Sequence, residues 1–477
     1  MAREISRQTF LRGAAGALAA GAVFGPARAA AVPNTPGWGA LSTAITGPVI
    51  LPDNGQFAAA KQVFNTLYNG STPAAVVAPK SAAEVQKAMA FASANNLKVA
   101  PRSGGHSYVG ASTANGTMVL DLRQLPGDIK YDAATGQVTV TPATGLYPLH
   151  QALAAAGRGI PTGICPTVGA AGHALGGGLG AHSRQAGLMC DQLTSATVVL
   201  PGGQAVTASS ANNPDLFWAL RGGGGGNFGV TTSLTFATFP TADVDVVNLN
   251  FPPQSFAQVL VGWQNWLRTA DRNSWALADA TVDPMGTHCR ILATCPAGSG
   301  GKAAAAIISA VGTQPTGTEN HTFNYMDLVR YLAGNLNPTP LGYVGGSDVF
   351  ATITPAAAQG IASAVDAFPR GAGRMLTIMH ALDGALATVA PGATAFPWRR
   401  HAALVQWYTE PSGPPSAATA WLSTAHQAVQ PYSVGGYVNY IEANQPPSRY
   451  FGANLSQLSA ARQKYDPGRV MFSGLSY

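Results

Sequence analysis

Two short segments of this 477-residue chain hold side chains able to make covalent bonds. In Pro101-Arg102-Ser103-Gly104-Gly105-His106-Ser107-Tyr108 an imidazole follows a glycine pair. In Gly163-Ile164-Cys165-Pro166-Thr167-Val168-Gly169-Ala170-Ala171-Gly172-His173 a thiol heads a run that continues through Gly176-Gly177-Gly178-Leu179-Gly180. An imidazole nitrogen and a thiolate are nucleophiles that form stable adducts. Adjacent glycines let backbone N–H groups approach a phosphate closely. A third glycine run, Arg221 to Gly229, leads into Val230. One such loop alone would read as a solvated turn. Three between residues 101 and 229, each flanked by regular elements, point to backbone cradling of a large phosphorylated cofactor.

Other chemistries lack their residues. Gly224, Gly226 and Gly229 satisfy G-x-G-x-x-G, but a helix precedes them and a strand follows, the reverse of a dinucleotide fingerprint. The nearest approach to a P-loop, Gly301-Lys302, has Pro296 in place of the first glycine and Ala303 in place of Ser/Thr. Ser107 sits in Gly-His-Ser-Tyr-Val, which lacks the last glycine of a nucleophile elbow. The nine histidines are dispersed without zinc-like spacing, so no metal site is expected.

Charged residues are only 10% and AVILMFWYC 46%, which excludes a disordered or coiled-coil chain. The formal charge of +6 suggests a polyanion partner until it is located. Four arginines (Arg3, Arg7, Arg12, Arg28) and Glu4 in the first 31 residues account for half of it. They flank an apolar stretch, Gly13 to Phe24, followed by Ala27-Arg28-Ala29 and Ala29-Ala30-Ala31, the layout of an export signal. Ser6-Arg7-Gln8-Thr9-Phe10-Leu11-Arg12 resembles a twin-arginine (Tat) signal with Gln8 in place of the second arginine. Tat and Sec export both stay open, and folding around a cofactor before export favours Tat. The remaining charge is scattered without a basic run, which argues against nucleic acid. The four cysteines, Cys165, Cys190, Cys289 and Cys295, are too few for a disulfide scaffold, but Cys289 and Cys295 are candidates to pair.

The elements that must position these loops follow from periodicity. A helix is expected over Ala82 to Asn95, a strand from Leu97 ending at Pro101, and a helix from Leu146 to Ala156. A hairpin over Ala196 to Ser209 turns at Pro201-Gly202-Gly203, and Val230 to Phe239 reads as a strand. Near residue 240 glycine clusters thin out. Strands at Val246 to Phe251, Ile291 to Cys295 and Leu404 to Tyr408 alternate with helices such as Ser255 to Thr269 and Ala357 to Phe368. The expected organisation is α+β: export signal 1–31, cofactor domain 32–240, a second domain with an antiparallel sheet 241–430, and a motif-rich C-terminal segment 431–477.

With these pieces in order the chain resembles the berberine-bridge-enzyme-like FAD-linked oxidases of the vanillyl-alcohol-oxidase (PCMH) superfamily. The resemblance rests on PRSGGHSYVG (101–110), GICPTVGAAGHALGGGLG (163–180), NPDLFWALRGGGGGNFGV (213–230), YVNY (437–440), YFGANLSQLSAARQKYDP (450–467) and VMF (470–472). It implies a two-domain FAD-binding fold whose antiparallel sheet covers the substrate. It implies FAD bound twice covalently, at the 8α-methyl by His106 and at C6 by Cys165. The loops contribute Arg102, Ser103, Gly104, Gly105, Ser107, Val168, Gly169, Gly172, His173, Gly176, Gly177, Gly178, Gly229 and Val230 to the cofactor site. Asn439 is implied to hydrogen-bond the flavin. The implied reaction is hydride transfer from an alcohol, a sugar or specialised metabolite, to flavin N5, with oxygen reduced to peroxide. Val168, where the family has a small residue that admits oxygen, favours an oxidase. Tyr437 is the implied base and Tyr440 the next candidate, with Tyr108 and Gln406 on the substrate side. An oxidative cyclase of a biosynthetic pathway uses the same parts, and a binding protein without redox chemistry is the remaining alternative.

The chain departs from the family in three places. Leu179 and Leu404 stand where plant members have a Tyr and a Lys that form another kind of base, so that base is not expected. Trp398 stands where many members have His, which alters the expected pocket.

Overall fold

A computed structural model describes residues 36–475 and 477; the expected export signal, 1–31, lies outside the described residues. In the N-terminal half, Val49–Ile50, Ala75–Val77, Met118–Asp121 and Val99–Arg102 form a four-stranded sheet in that order. The last three strands run parallel. The crossover between Ala75–Val77 and Val99–Arg102 is the helix Ala82–Ala94. Ser81 caps it by accepting the Glu84 N–H. Val85, Ala88, Met89 and Ala92, spaced three and four apart, are fully buried against the sheet. Asn96, with φ +54°, then turns the chain out of the helix. The strand was expected to stop at Pro101. It runs on to Arg102 because it is the edge strand, where a residue without an N–H leaves no ladder bond unmade. A five-stranded antiparallel sheet follows, with Val230–Ala237 at its centre and the Leu193–Val199/Ala205–Ser209 hairpin on one side.

The C-terminal half is built on an eight-stranded antiparallel sheet, from Gly317–Phe323 at one edge to Ser433–Gly435 at the other. The expected boundary at 430 therefore falls inside a sheet, and Gly37–Tyr477 forms one unit. Alternation along each strand divides the sheet's two faces. Ala403, Val405 and Trp407 of strand Ala403–Pro411 are buried in the same core as helices Phe256–Leu267, Pro355–Asp366 and Pro415–Val429. Leu404, Gln406 and Tyr408 point the other way, as do Leu376, Ile378 and His380 of the neighbouring Gly373–Ala381. Cys289 and Cys295 lie on one strand, Gly286–Pro296, and all four cysteines are free. Six residues of extended chain separate the two sulfurs by roughly 20 Å, which no disulfide spans.

Beyond Tyr437 the chain returns to the N-terminal half. The Val99 N–H donates to the Val470 carbonyl and the Phe472 N–H to the Val99 carbonyl, each at 2.8 Å. A buried charged cluster holds this return segment against the large sheet. His426 donates from Nδ1 to Asp348 Oδ2 at 2.6 Å and from Nε2 to Glu442 Oε2 at 2.7 Å, and Arg449 pairs with Asp348 at 2.9 Å. Burial opposes the imidazolium, but Asp348 and Glu442 outweigh it and push His426 up to about 9. A folded value above the ordinary 6.5 stabilises fully below pH 6.5 and is lost as pH rises through about 9. Thermal denaturation should therefore show Tm falling across that interval. His426→Gln should lower Tm at pH 6.5 and flatten its dependence on pH; an unchanged slope would contradict this account.

Candidate active site

The three glycine loops, the C-terminal segment and the open face of the large sheet enclose a cavity of about 470 Å³. Its geometry begins where two loops meet. A Cβ on Gly169 would lie 1.9 Å from Ser103 Oγ and 2.5 Å from the Gly104 nitrogen. One on Gly104 would lie 2.5 Å from the Gly169 nitrogen and 2.8 Å from the Thr167 carbonyl oxygen. Only glycines allow this approach, and it brings the two nucleophiles together. Thr167 Oγ1 lies 3.0 Å from His106 Nε2 and 3.9 Å from Cys165 Sγ. The imidazole stacks on Phe64 with centroids 4.1 Å apart, and Tyr343 fixes its backbone by donating to the His106 carbonyl at 2.9 Å. Burial pulls His106 down to about 4, against an opposing hydrogen bond from Thr167, so its ring is neutral near pH 7. A neutral imidazole keeps a nucleophilic lone pair.

The wall fits a phosphorylated cofactor. Among the described residues, the backbone N–H groups of Gly104, Gly105, His106 and Ser107 find no acceptor. Backbone donors on a cavity wall are ordinarily satisfied, and an anionic or polar ligand in the cavity would satisfy these. Ser112 Oγ, on the same wall, is buried without a partner. A Cβ on Gly172 would meet nothing within 4 Å, so that stretch of wall is open to a ligand.

Of the loop residues expected at the cofactor, Ser103, Gly104, Gly105, His106, Ser107, Cys165, Val168, Gly169, Gly172, His173, Gly229 and Val230 line the cavity, together with Asn439. Arg102 and Gly176, Gly177 and Gly178 do not. Arg102 is fully buried behind the wall, paired with Asp121 at 2.8 Å and donating to the Ala60 and Gln62 carbonyls. It ties the lead-in segment to the sheet. Gly176 makes room for a side chain: a Cβ there would lie 1.9 Å from Asn439 Oδ1. His173 accepts the Gly163 N–H on Nε2 at 2.7 Å, which steadies the approach to Cys165.

The four residues expected to act on substrate also line the cavity, in different states. The Tyr437 hydroxyl accepts from the Gly178 N–H at 2.8 Å, the Leu179 N–H at 3.4 Å and Asn439 Nδ2 at 2.9 Å. It pins the glycine loop from the cavity wall. The Tyr440 hydroxyl makes no hydrogen bond among the described residues, and its ring lies 5.3 Å from Tyr108 and 6.3 Å from His380. Burial pushes both phenols well above their ordinary value, against the three donors in the case of Tyr437. Gln406 Nε2 donates to the Tyr108 hydroxyl at 2.6 Å.

Sequence reasoning did not single out Tyr343, Tyr408 or His380. Tyr408 follows Gln406 by two residues on one strand and so shares its face, a signal the pattern contained. His380 sits on a strand that the sequence reading left unassigned, and only sheet pairing brings it to Gln406.

The cavity, with unpaired N–H groups on one wall and the open face of a sheet on the other, has the layout of a cofactor site. The FAD binding domain family matches residues 73–209 and the family described as "Berberine and berberine like" matches 436–472. Xylooligosaccharide oxidase of Thermothelomyces thermophilus is 29% identical over 432 residues, covering 84% of this chain and 86% of that protein. Chitooligosaccharide oxidase of Gibberella zeae is 28% identical, covering 83% and 85%. The solved structure of BBE-like 1 from Physcomitrella patens superposes with a TM-score of 0.83 at 26% identity, over 91% of this chain and 97% of that one. The chain thus carries an FAD binding domain and a berberine-like C-terminal segment, and along most of its length it is similar to FAD-linked oxidoreductases.

Gly169→Ala should separate the two loops. Purified protein should lose most of its visible flavin absorbance while its far-ultraviolet circular dichroism is retained. Full flavin content in this variant would show that the close approach is not needed.

Proposed function

We propose that this chain is a secreted FAD-dependent oxidase that converts an alcohol of a carbohydrate-like substrate to a carbonyl and passes the electrons to oxygen, forming peroxide. FAD is bound covalently through both His106 and Cys165. The observation that carries the reading is the meeting of these two nucleophiles around Thr167 on a wall of unsatisfied N–H donors. The other ring nitrogen of His106, Nδ1, has no partner among the described residues. FAD, when bound, supplies the two-electron acceptor for the substrate's C–H hydrogen and the route to oxygen.

The chain's own groups bind and orient the substrate. Tyr343 and Tyr408 stack at 5.2 Å, and Tyr108 meets Tyr343 edge-on at 5.0 Å, so the substrate end of the cavity is walled by aromatic faces. Such faces pack on the apolar faces of sugar rings, while the Tyr440 O–H and Gln406 serve their hydroxyls. Relatives named xylooligosaccharide and chitooligosaccharide oxidase, and a solved xylooligosaccharide oxidase in complex with xylobiose at 27% identity, support a carbohydrate. Val168, on the cavity wall, supports access of oxygen. The arginine-flanked apolar N-terminus supports export of the Tat type.

Acid-precipitated protein should stay yellow. His106→Ala should still hold flavin through Cys165, and the His106→Ala/Cys165→Ala double variant should give a colourless pellet. Covalent flavin in the double variant would place the attachment elsewhere. A peroxide-coupled screen of oligosaccharides should find turnover; anaerobic reduction followed by slow reoxidation in air would exclude the oxidase.

A further inference from the structure

We propose that the segment Gln62 to Tyr68 is a clamp for cofactor attachment: Phe64, held in place by Asn65, orients the His106 ring for bonding to the flavin 8α-methyl, and the bond at Cys165 forms without it. The proposal rests on the reading that FAD is bound covalently at both residues.

The clamp is tied to the large sheet. The Leu341 N–H donates to the Phe64 carbonyl and the Thr66 N–H to the Leu341 carbonyl, each at 3.1 Å. Between them Asn65, fully buried, donates from Nδ2 to the Tyr343 carbonyl at 2.9 Å. Its Oδ1 accepts the Tyr343 N–H at 3.2 Å and the Leu67 N–H at 3.3 Å. A carbonyl only accepts and an N–H only donates, so these backbone partners fix which way the amide is turned. One side chain thus joins the lead-in segment to the chain entering strand Val344–Phe350.

Both ends of this tie reach His106. The Phe64 N–H donates to the Gly105 carbonyl at 3.1 Å, and the Tyr343 hydroxyl donates to the His106 carbonyl at 2.9 Å. The peptide groups before and after His106 are therefore both held. The Phe64 ring covers one face of the imidazole, with centroids 4.1 Å apart and planes 22° apart, and Thr167 Oγ1 lies 3.0 Å from Nε2. A side chain with its backbone fixed on both sides and a ring against its face has few rotamers open to it. Cys165 has other supports. The Gly163 N–H donates to His173 Nε2 at 2.7 Å, the Val168 N–H to the Cys165 carbonyl at 3.4 Å and the Tyr147 N–H to the Pro166 carbonyl at 3.1 Å. None of these bonds involves residues 62–68.

Attachment at His106 breaks one C–H bond of the 8α-methyl and the imidazole N–H, and the imidazole lone pair makes one N–C bond. The C–H electron pair passes through the flavin to oxygen, which takes both protons and becomes hydrogen peroxide. The ring nitrogen must meet a carbon that is itself fixed in the cavity, and a misplacement of about 1 Å costs on the order of 100-fold in rate. Phe64 and Asn65 are positioning residues. Asn65 acts through Phe64 and Tyr343 and does not line the cavity.

The test is the mass of the flavin-bearing peptides from purified enzyme, which reads each attachment separately. In the wild type the His106 and Cys165 peptides should both carry flavin. Phe64→Leu keeps apolar bulk without the stacked ring, and Asn65→Ala releases the tie. Each should leave most of the His106 peptide unmodified while the Cys165 peptide stays flavinylated, and in freshly synthesised protein attachment at His106 should be slowed about 100-fold. Phe64→Tyr, which keeps the ring, should restore it. If Asn65→Ala does not fold, Phe64→Leu and Phe64→Tyr decide. Loss of both attachments together would give the segment a general structural role and overturn the proposal, as would full attachment at His106 at the wild-type rate. A wild-type enzyme without flavin on His106 would overturn the reading of double attachment and this proposal with it.

Discussion

The rest of the site depends on one steric constraint, the passage of the Gly104 and Gly169 backbones at a distance that admits no Cβ on either. That contact sets where the His106 loop ends and the Cys165 loop begins. It leaves the N–H groups of Gly104 through Ser107 without internal acceptors, a cost that a folded chain bears only where a ligand offsets it. The supporting residues lie one layer back. Arg102 anchors the first loop to Asp121, and His173 anchors the second through Gly163. Tyr343 reaches across from the large sheet to the His106 carbonyl. The two loops that face the cofactor cavity are thus tied down from behind.

Burial then decides the protonation of every group that matters. His106, His173 and His380 are all pulled down to about 4, and Tyr108, Tyr437 and Tyr440 are pushed up. The lining therefore presents neutral rings, some with lone pairs and some with O–H donors. The charged residues that hold the architecture, His426 with Asp348, Glu442 and Arg449, sit behind this lining, and Asp348 also accepts from Trp407 on the strand that carries Gln406 and Tyr408.

The glycine loops and the two nucleophiles were legible in the sequence because their chemistry is local: a few consecutive residues specify a loop and what it offers. The helix Ala82–Ala94 and the strands of the large sheet were legible from periodicity. What escaped depends on pairing between distant strands. Nothing near His380 says that it faces Gln406, since the register that joins Ile378 to Gln406 is a property of the folded sheet. Arg102 misled for the opposite reason. It stands inside a conspicuous motif, yet strand alternation turns it away from the cavity to a carboxylate nineteen residues on. Gly176 to Gly178 were read as phosphate-type glycines, whereas their use is to seat Asn439 and Tyr437.

The two tyrosines of Y-x-N-Y show why a motif names residues without assigning their work. The short helical turn Val438–Tyr440 separates them, so the side chains leave the backbone in different directions. Tyr437 enters the pocket between Gly178 and Asn439, where three N–H donors saturate its oxygen. Tyr440 emerges into the cavity with its O–H unengaged. Spacing alone treats the pair as interchangeable, but the number of donors around each oxygen does not. Donors around the Tyr437 oxygen favour its deprotonated form, while burial opposes it. A phenol in an apolar wall keeps the proton it has.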